Sequence, residues 1–288
     1  MSKVSYFIKT LFSYFSDKNC PSCKSKSYKL TDTKYFISRL YECENCNLMY
    51  RHPKDSETFN FEFYQKKYTQ NDGITTDIIE DNELKKLINS NFSNSEKNVS
   101  RFVKIFNGLG FKGGNLIDYG SSWGYMTYQF INYGFNTQSF EISEPRAKFG
   151  NLKLGLNIKT DVTLLTGNQD LVFSSHVIEH VPSVSNMIES SFKLLKKGGF
   201  FISECPNGSK KFRDKFPHLF SQFWGEVHPN LLSAEYYTHI FKDRPFLITT
   251  TPYDDETYNI VSSWDQTSQI ILNLEGPEIL VIARNSNF

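Results

Sequence analysis

The sequence lacks any marked charge imbalance. Its 288 residues carry 32 basic and 31 acidic side chains, which gives a formal net charge of +1. RNA and DNA are therefore disfavoured as partners, because binding to a polyanion relies on an excess of positive charge. Hydrophobic residues make up 39% of the chain, which is enough for a sizeable core.

Long hydrophobic runs are also absent. The runs at residues 270–274 and 279–283 are far shorter than the roughly 20 residues that span a bilayer, and we expect a cytoplasmic protein. Residues 1–18 carry apolar side chains at helical spacing, but no small-residue cleavage site follows, so a secretory signal is disfavoured. We predict an amphipathic helix over residues 1–19, which either packs on its own domain or makes a peripheral membrane contact.

Cysteine is scarce, and four of the five cysteines form two close pairs. Cys20 and Cys23 form one CxxC pair and Cys43 and Cys46 form the other, with nineteen residues between them. This spacing predicts a structural zinc ribbon over residues 20–52, because each pair can turn around one side of a tetrahedral ion and four thiolates fill its coordination sphere. Two disulfides would need an oxidising compartment, which nothing in the sequence indicates.

The rest of the chain divides into a connector and a larger domain. We predict a ribbon strand at residues 35–41, a helical connector or lid over residues 53–110, and an α/β domain over residues 111–288. Alternating strands and helices in the last of these are typical of a parallel sheet with helices on both faces. We expect strands at residues 115–119, 137–142, 170–174 and 199–204, helices at 125–133, 145–154 and 184–195, and a closing pair of strands in the last forty residues.

A glycine-punctuated turn follows the first of these strands in the segment NLIDYGSSWGYMTYQF, residues 115–130. Gly120 and Gly124 lie in the turn, directly after Asp118. In a doubly wound sheet this turn brings backbone amides and a helix N-terminus to a ligand. Glu141 closes the next strand, where a carboxylate can accept hydrogen bonds from both hydroxyls of a ribose. These features fit an adenosine-bearing ligand without identifying it.

The segment DLVFSSHVIEHVPSVSNMIESSFKLLKKGGFFISECPN, residues 170–207, adds a strand, a loop with two histidines, a helix and another strand. With it, residues 115–207 resemble the core of class I S-adenosylmethionine-dependent methyltransferases, particularly those that act on small molecules and sugars. The resemblance implies a Rossmann-like seven-stranded sheet with helices on both faces and S-adenosylmethionine as the cofactor.

The resemblance also implies roles for single residues. Ser122 stands where a glycine is usual in the methionyl-binding loop. The implied cofactor-binding residues are Asp118, Gly120, Ser121, Ser122 and Gly124 in the loop, Glu141 at the ribose, Ile142 and Asp161 at the adenine, Ser174 and Ser175 at the reactive methyl, and Tyr64 and Tyr68 in a closing segment. The two tyrosines fit packing of the connector on the catalytic domain equally well.

Three histidines are candidates for a catalytic base that takes the proton of an alcohol acceptor: His176, His180 and His228. We prefer His180 or His228 over His176. The series His176, Glu179 and His180 also resembles the magnesium-binding motif of ubiquinone-type O-methyltransferases. His176 stands where those enzymes have a carboxylate, which disfavours Mg²⁺ because hard cations prefer oxygen ligands.

Three functions compete at this point. The first is O-methylation of a sugar hydroxyl, in a nucleotide sugar or a surface polysaccharide, or of a related small molecule. The second is methylation of rRNA or tRNA with the ribbon as the RNA-binding part, which the near-neutral charge and the lack of an NPPY-like motif after residue 173 disfavour. The third is a non-catalytic binding protein, which the intact loop and Glu141 disfavour.

Overall fold

The computed structural model describes Thr10, residues 15–66 and residues 77–286. The amphipathic helix expected at residues 1–19 therefore falls mostly outside the described residues, and Tyr68 does so entirely. No helix in the described ranges is both long and apolar enough to cross a lipid bilayer.

Strands and helices alternate along most of the described chain. The strands are β1 (Tyr28–Lys34), β2 (Ser38–Cys43), β3 (Met49–His52), β4 (Gly114–Tyr119), β5 (Phe135–Phe140), β6 (Ile158–Lys159), β7 (Gln169–Ser175), β8 (Leu195–Pro206), β9 (Asn230–Leu231), β10 (Phe246–Thr250), β11 (Gln269–Ile271) and β12 (Glu278–Arg284). The helices are α1 (Glu57–Lys66), α2 (Asp81–Asn89), α3 (Ser100–Gly108), α4 (Tyr125–Asn132), α5 (Glu144–Leu154), α6 (Val184–Leu194), α7 (Lys210–Lys215), α8 (Pro217–Gln222), α9 (Ala234–Ile240) and α10 (Asp255–Ser263). A 3₁₀ turn spans Val162–Leu164.

The larger sheet has the strand order β11-β10-β12-β8-β7-β4-β5-β6. Neighbouring strands from β4 to β8 are parallel, whereas β12 runs antiparallel between β8 and β10. Parallel neighbours need crossover connections, and α4, α5 and α6 lie in three of these. The structure confirms the predicted α/β fold, and the three-residue edge strand β11 brings the sheet to eight strands instead of the seven expected.

Aromatic side chains fill one face of this sheet. Phe102 and Phe106 of α3 and Phe130 of α4 are fully buried against Phe173 of β7. The ring centroids of Phe102 and Phe106 lie 4.7 and 5.6 Å from that of Phe173, which is the range of favourable aromatic pairs. This core supports β4 and β7, the two strands whose ends carry the candidate site.

The smaller sheet contains the cysteine pairs and has the order β1-β2-β3-β9. The strand predicted at residues 35–41 is wrong in its first half, because the chain turns there and joins β1 to β2 as an antiparallel hairpin. Tyr35 and Phe36 form this turn with φ of 52° and 62°. Their aromatic side chains favour strands, which hid the turn from sequence analysis.

The last strand of the smaller sheet comes from a segment about 180 residues later in the chain than β3. β9 pairs antiparallel with β3, so that Met49 faces Leu231 and Tyr50 faces Asn230. The Ser22 hydroxyl also lies 3.0 Å from the Tyr236 hydroxyl. The cysteine-bearing segment is therefore docked on the α/β domain through shared strand pairing and a shared core.

Candidate active site

A cavity of about 200 Å³ lies at the carboxyl ends of β4, β5 and β7. Loops that follow adjacent parallel strands meet there, which is where ligands of doubly wound sheets bind. Many residues proposed from the sequence line it: Tyr64, Asp118, Gly120, Ser121, Ser122, Glu141, Ile142, Ser175, His176 and His180. The fold thus brings the predicted cofactor residues and two candidate bases to one cavity.

Gly120 makes the closest backbone approach in the cavity wall. Its φ is +82°, and a Cβ at this position would stand 2.3 Å from Cγ2 of Val177. Such a contact is far shorter than van der Waals distance, so the loop keeps its position only without a side chain there. Ser122 also has a positive φ, of 52°, a backbone conformation that glycine adopts without steric cost.

Gly124 serves packing and does not line the cavity. A Cβ there would stand 2.4 Å from Cδ1 of Leu156 and 2.9 Å from Cδ1 of Ile158. Both side chains belong to the segment around β6. Gly124 therefore lets the start of α4 pack closely against that segment, and the cavity is lined by other residues of the loop.

Glu141 fixes the loop from the opposite wall. Its buried carboxylate accepts hydrogen bonds from the backbone N–H of Ser122 at 2.7 Å and of Ser143 at 2.8 Å. Burial raises the pKa of Glu141, although these two bonds favour its ionised form. Each carboxylate oxygen can accept a further hydrogen bond, so Glu141 can hold the loop and also bind ligand hydroxyls.

Asp118 is buried at the end of β4 and accepts a hydrogen bond from the Thr127 hydroxyl at 2.6 Å. Burial, together with the nearby charge of Glu141, raises the pKa of Asp118 to about 7. The side chain thus ties the loop to α4.

Several proposed residues lie away from the cavity. Asp161 is exposed and caps the 3₁₀ turn by accepting a hydrogen bond from the Thr163 N–H at 2.9 Å. Ser174 is buried inside β7, one residue before the cavity wall begins. His228 is not part of the lining, but its ring centroid lies 4.7 Å from that of His180.

Helix α1 lies across the cavity, and sequence analysis missed two of the residues that hold it there. Asn60 donates a hydrogen bond from Nδ2 to the His180 carbonyl oxygen at 3.0 Å, and Gln65 donates from Nε2 to the Ile142 carbonyl oxygen at 2.5 Å. Tyr64 lies between them with its ring edge-on to His180, at 6.3 Å between centroids. α1 buries none of its residues fully, so its sequence carries no apolar pattern that would have revealed this placement.

His176 lies among carboxylates at the end of β7. Its Nδ1 is 3.3 Å from Oε1 of Glu179 and its Nε2 is 3.5 Å from Oε2 of Glu278. Removal of the ring from water would lower its pKa, but these carboxylates raise the pKa of His176 to about 9. His176 is therefore held in its protonated form at neutral pH, which makes it the least suited of the three histidines to accept a proton.

His180 is placed differently. Its Nδ1 donates to the Val227 carbonyl oxygen at 2.5 Å, and burial lowers the pKa of His180 to about 4. The ring is neutral at neutral pH, and Nε2 holds its lone pair. His180 is thus the cavity-lining histidine whose Nε2 can accept a hydrogen bond or bind a cation, whereas its low pKa makes it a weak base at neutral pH.

The four paired cysteines come together in the smaller sheet. Sγ of Cys20 is 3.6 Å from Sγ of Cys46, and Sγ of Cys23 is 3.5 Å from Sγ of Cys43; the ligand atoms of all four lie within 4.8 Å of one another. Four sulfurs bound at about 2.3 Å around a tetrahedral zinc ion stand about 3.8 Å apart. The cluster therefore has the size that a zinc ion requires.

The sheet order, the glycine loop after β4 and the carboxylate after β5 define a Rossmann-like protein of the class that binds adenosine-bearing ligands. The profile of the family described as "Methyltransferase domain" matches residues 91–251, more than half of the chain. The chain belongs to this family and is an S-adenosylmethionine-dependent methyltransferase of the class I fold. It is therefore an enzyme and not the non-catalytic binding protein weighed above.

Three solved structures show the similarity of this chain to other proteins at the level of the fold. TehB from Haemophilus influenzae is 16% identical with a TM-score of 0.46, and the match covers 69% of this chain and 66% of TehB. The plantazolicin methyltransferase BpumL in complex with SAH is 17% identical with a TM-score of 0.47, covering 71% and 91%. Geranyl diphosphate C-methyltransferase from Streptomyces coelicolor A3(2) is 17% identical with a TM-score of 0.47, covering 78% and 96%. No protein of curated function matches the sequence.

Proposed function

We propose that this enzyme transfers a methyl group from S-adenosylmethionine to a hydroxyl of a sugar, in a nucleotide sugar or a surface polysaccharide, or of a related small molecule. One observation carries the proposal: a single cavity joins the glycine loop and Glu141 to the histidine-bearing loop after β7. Donor and acceptor must meet in line for methyl transfer, and holding them in one cavity supplies much of the rate.

The cofactor side of the cavity is formed by Gly120, Ser121, Ser122, Glu141 and Ile142. The close approach of Gly120 to Val177 supports this assignment, because the loop leaves no room for a side chain beside the cavity. Glu141 has acceptor capacity left for two ribose hydroxyls after it has bound the loop amides. S-adenosylmethionine, when bound, supplies an electrophilic methyl group on a sulfonium.

The acceptor side is formed by His180, Ser175 and Tyr64. An alcohol acceptor must lose its proton during the transfer. We assign activation of the acceptor to His180, because its Nε2 keeps a lone pair while Nδ1 is held by Val227.

The near-neutral net charge of the chain and the few polar groups in a mainly apolar lining support a small acceptor over a polyanion. Sugar hydroxyls can bond to the polar groups of the cavity, and the aromatic ring of Tyr64 can pack against a sugar ring. The four cysteines are proposed to hold a structural zinc ion that stabilises the smaller sheet. With all four positions filled by thiolates, that ion has no open site for chemistry.

Calorimetric titration with S-adenosylhomocysteine tests the cofactor assignment. Glu141→Ala should weaken binding severely, because it removes both the ribose acceptor and the anchor of the Ser122 amide. Asp161→Ala is the matched control: it also removes a carboxylate proposed from the sequence, but one that the structure places on the exposed 3₁₀ turn. Unaltered binding in Glu141→Ala, or equal losses in both variants, would show that the cofactor lies elsewhere.

Methyl transfer from labelled S-adenosylmethionine to a panel of nucleotide sugars tests the acceptor. We expect label to appear in a sugar hydroxyl of at least one member of the panel, and to be lost in His180→Ala while cofactor binding persists. Label found in ribosomal RNA or tRNA, together with salt-sensitive RNA retention, would overturn the sugar acceptor and leave the cofactor assignment intact.

A further inference from the structure

Glu179 is an unusual residue beside the cavity. Its carboxylate is fully buried, and neither oxygen has a hydrogen-bond partner among the residues that the structure describes. The nearest ring nitrogens are Nδ1 of His176 at 3.3 Å and Nε2 of His180 at 3.6 Å. A buried carboxylate needs hydrogen bonds or a cation to compensate for lost hydration. The charged His176 ring faces Glu278 as well as Glu179, so Glu179 shares this one charge with a second carboxylate and still lacks a hydrogen bond of its own.

Two histidines lie beside Glu179, and a hydrogen bond from Nδ1 of each ring determines which nitrogen carries its lone pair. Nδ1 of His180 donates to the Val227 carbonyl oxygen at 2.5 Å, and Nδ1 of His228 donates to the Phe223 carbonyl oxygen at 2.8 Å. A carbonyl oxygen only accepts, so each Nδ1 carries the hydrogen and each neutral ring has its lone pair on Nε2. Histidines that bind metals are commonly held by just such a bond from the second ring nitrogen.

The three residues together form a small acceptor-only cluster. Glu179, His180 and His228 each offer one ligand atom, and these atoms lie within 4.8 Å of one another. A carboxylate oxygen and two imidazole lone pairs repel one another. The charged His176 ring lies beside Glu179 but is not one of the three, so a cation among the three ligand atoms would relieve that repulsion.

We propose that Glu179, His180 and His228 bind one divalent cation of the zinc, cobalt or iron type. Two imidazoles and one carboxylate suit such ions, whereas Mg²⁺ prefers a set of oxygen ligands. The ligands are not the series His176, Glu179, His180 that the sequence suggested for magnesium. His228 takes the third position, and it comes from the segment just before β9.

This role of the cation rests on the proposed function. It adds to that function because His180, one of the three ligands, also lines the cavity. Three protein ligands leave a coordination position open, and a bound cation lowers the pKa of an oxygen ligand. An acceptor hydroxyl at that position gives up its proton to water more readily. The oxygen–methyl bond then forms as the sulfur–methyl bond of the cofactor breaks. His180 thus activates the acceptor by holding the cation.

Cobalt titration of the full-length protein tests the site independently of activity. The protein is first loaded with one equivalent of Zn²⁺ for the four cysteines, which Co²⁺ does not displace because zinc binds more tightly. We expect calorimetry and elemental analysis to show one further Co²⁺ per chain. Glu179→Gln and His228→Ala should each weaken Co²⁺ binding by more than the roughly 10- to 100-fold lost with an outer partner of a metal ligand.

Three variants serve as controls and separate this inference from the cofactor assignment. His176→Ala removes a neighbouring histidine outside the cluster and should retain Co²⁺ binding. His228→Ala should still bind S-adenosylhomocysteine, because His228 does not line the cavity, and Glu141→Ala should still bind Co²⁺. No Co²⁺ beyond the zinc-loaded cysteines, or equal binding in Glu179→Gln and the unaltered protein, would overturn the site and point to a shared proton between Glu179 and His180.

Discussion

Gly120→Ala probes the close approach on which the cofactor loop depends. The new Cβ would stand 2.3 Å from Cγ2 and 2.9 Å from Cγ1 of Val177, so one of the two segments must move. The φ of +82° adds strain of about 1–2 kcal/mol for a residue with a Cβ, and overpacking costs about 1–3 kcal/mol more. We expect Gly120→Ala to lower the free energy of unfolding by about 2–5 kcal/mol.

Gly155→Ala is the matched control for backbone strain. Gly155 also has a positive φ, of +67°, but a Cβ there meets nothing within 4 Å. Its substitution should therefore cost only the strain, about 1–2 kcal/mol. The double variant Gly120→Ala with Val177→Ala loses both clashing methyl groups and should recover most of the additional cost, as a coupling of about 1–3 kcal/mol.

Urea unfolding and calorimetric binding of S-adenosylhomocysteine provide the two measurements. Gly120 and Val177 both line the cavity, so their displacement should weaken binding in Gly120→Ala, by tenfold for about each 1.4 kcal/mol lost. If Gly120→Ala is no less stable than Gly155→Ala, or if Val177→Ala restores nothing, the close approach does not control this loop.

Two other predictions concern Asp118 and the cysteines. Burial raises the pKa of Asp118 to about 7, so its stabilising contribution is full below a pH of about 4 and is lost as the pH rises through about 7. Asp118→Asn should remove a decline of about 3 kcal/mol in the free energy of unfolding between about pH 5 and pH 8; an unchanged pH profile in urea unfolding would contradict this. Cys46→Ser should lose zinc and melt at a lower temperature, whereas Cys205→Ser, a buried thiol outside the cluster, should keep its zinc by elemental analysis.

Local patterns made much of the fold predictable. β4, β7 and the helices α4 and α6 lie within two residues of their predicted bounds, because apolar runs of strand length are separated by amphipathic segments. The order of glycine loop, carboxylate and histidine loop in the sequence predicts residues that line one cavity in the structure. The turn at Tyr35 was missed because its residues favour strands. β8 starts earlier than expected, because its first residues pair irregularly with β7 and include two glycines, which do not indicate a strand.

Contacts within the site were predictable only where the order of the strands along the chain determines which residues meet. Gly120 and Glu141 follow adjacent parallel strands, so sequence order places them together. Asp161 failed to reach the cavity because the two-residue strand β6 leaves it on an exposed turn. Asn60 and His228 come from segments far away in the sequence, and their positions depend on the docking of α1 and of the chain before β9, which no local pattern encodes.

The pairing of β3 with β9 also means that, during synthesis of the chain, the cysteines can bind a metal ion well before the smaller sheet is complete. All four clustered cysteines have been synthesised once residue 46 is added, but Leu231, the partner of Met49, follows about 180 residues later. At about 5–20 residues per second this interval is roughly 10 to 40 s. Metal capture can therefore precede completion of the sheet, and β3 meanwhile presents an open edge that can recruit other strands. A chain halted before residue 230 would keep the four cysteines proposed to bind zinc and would remain prone to association through that edge.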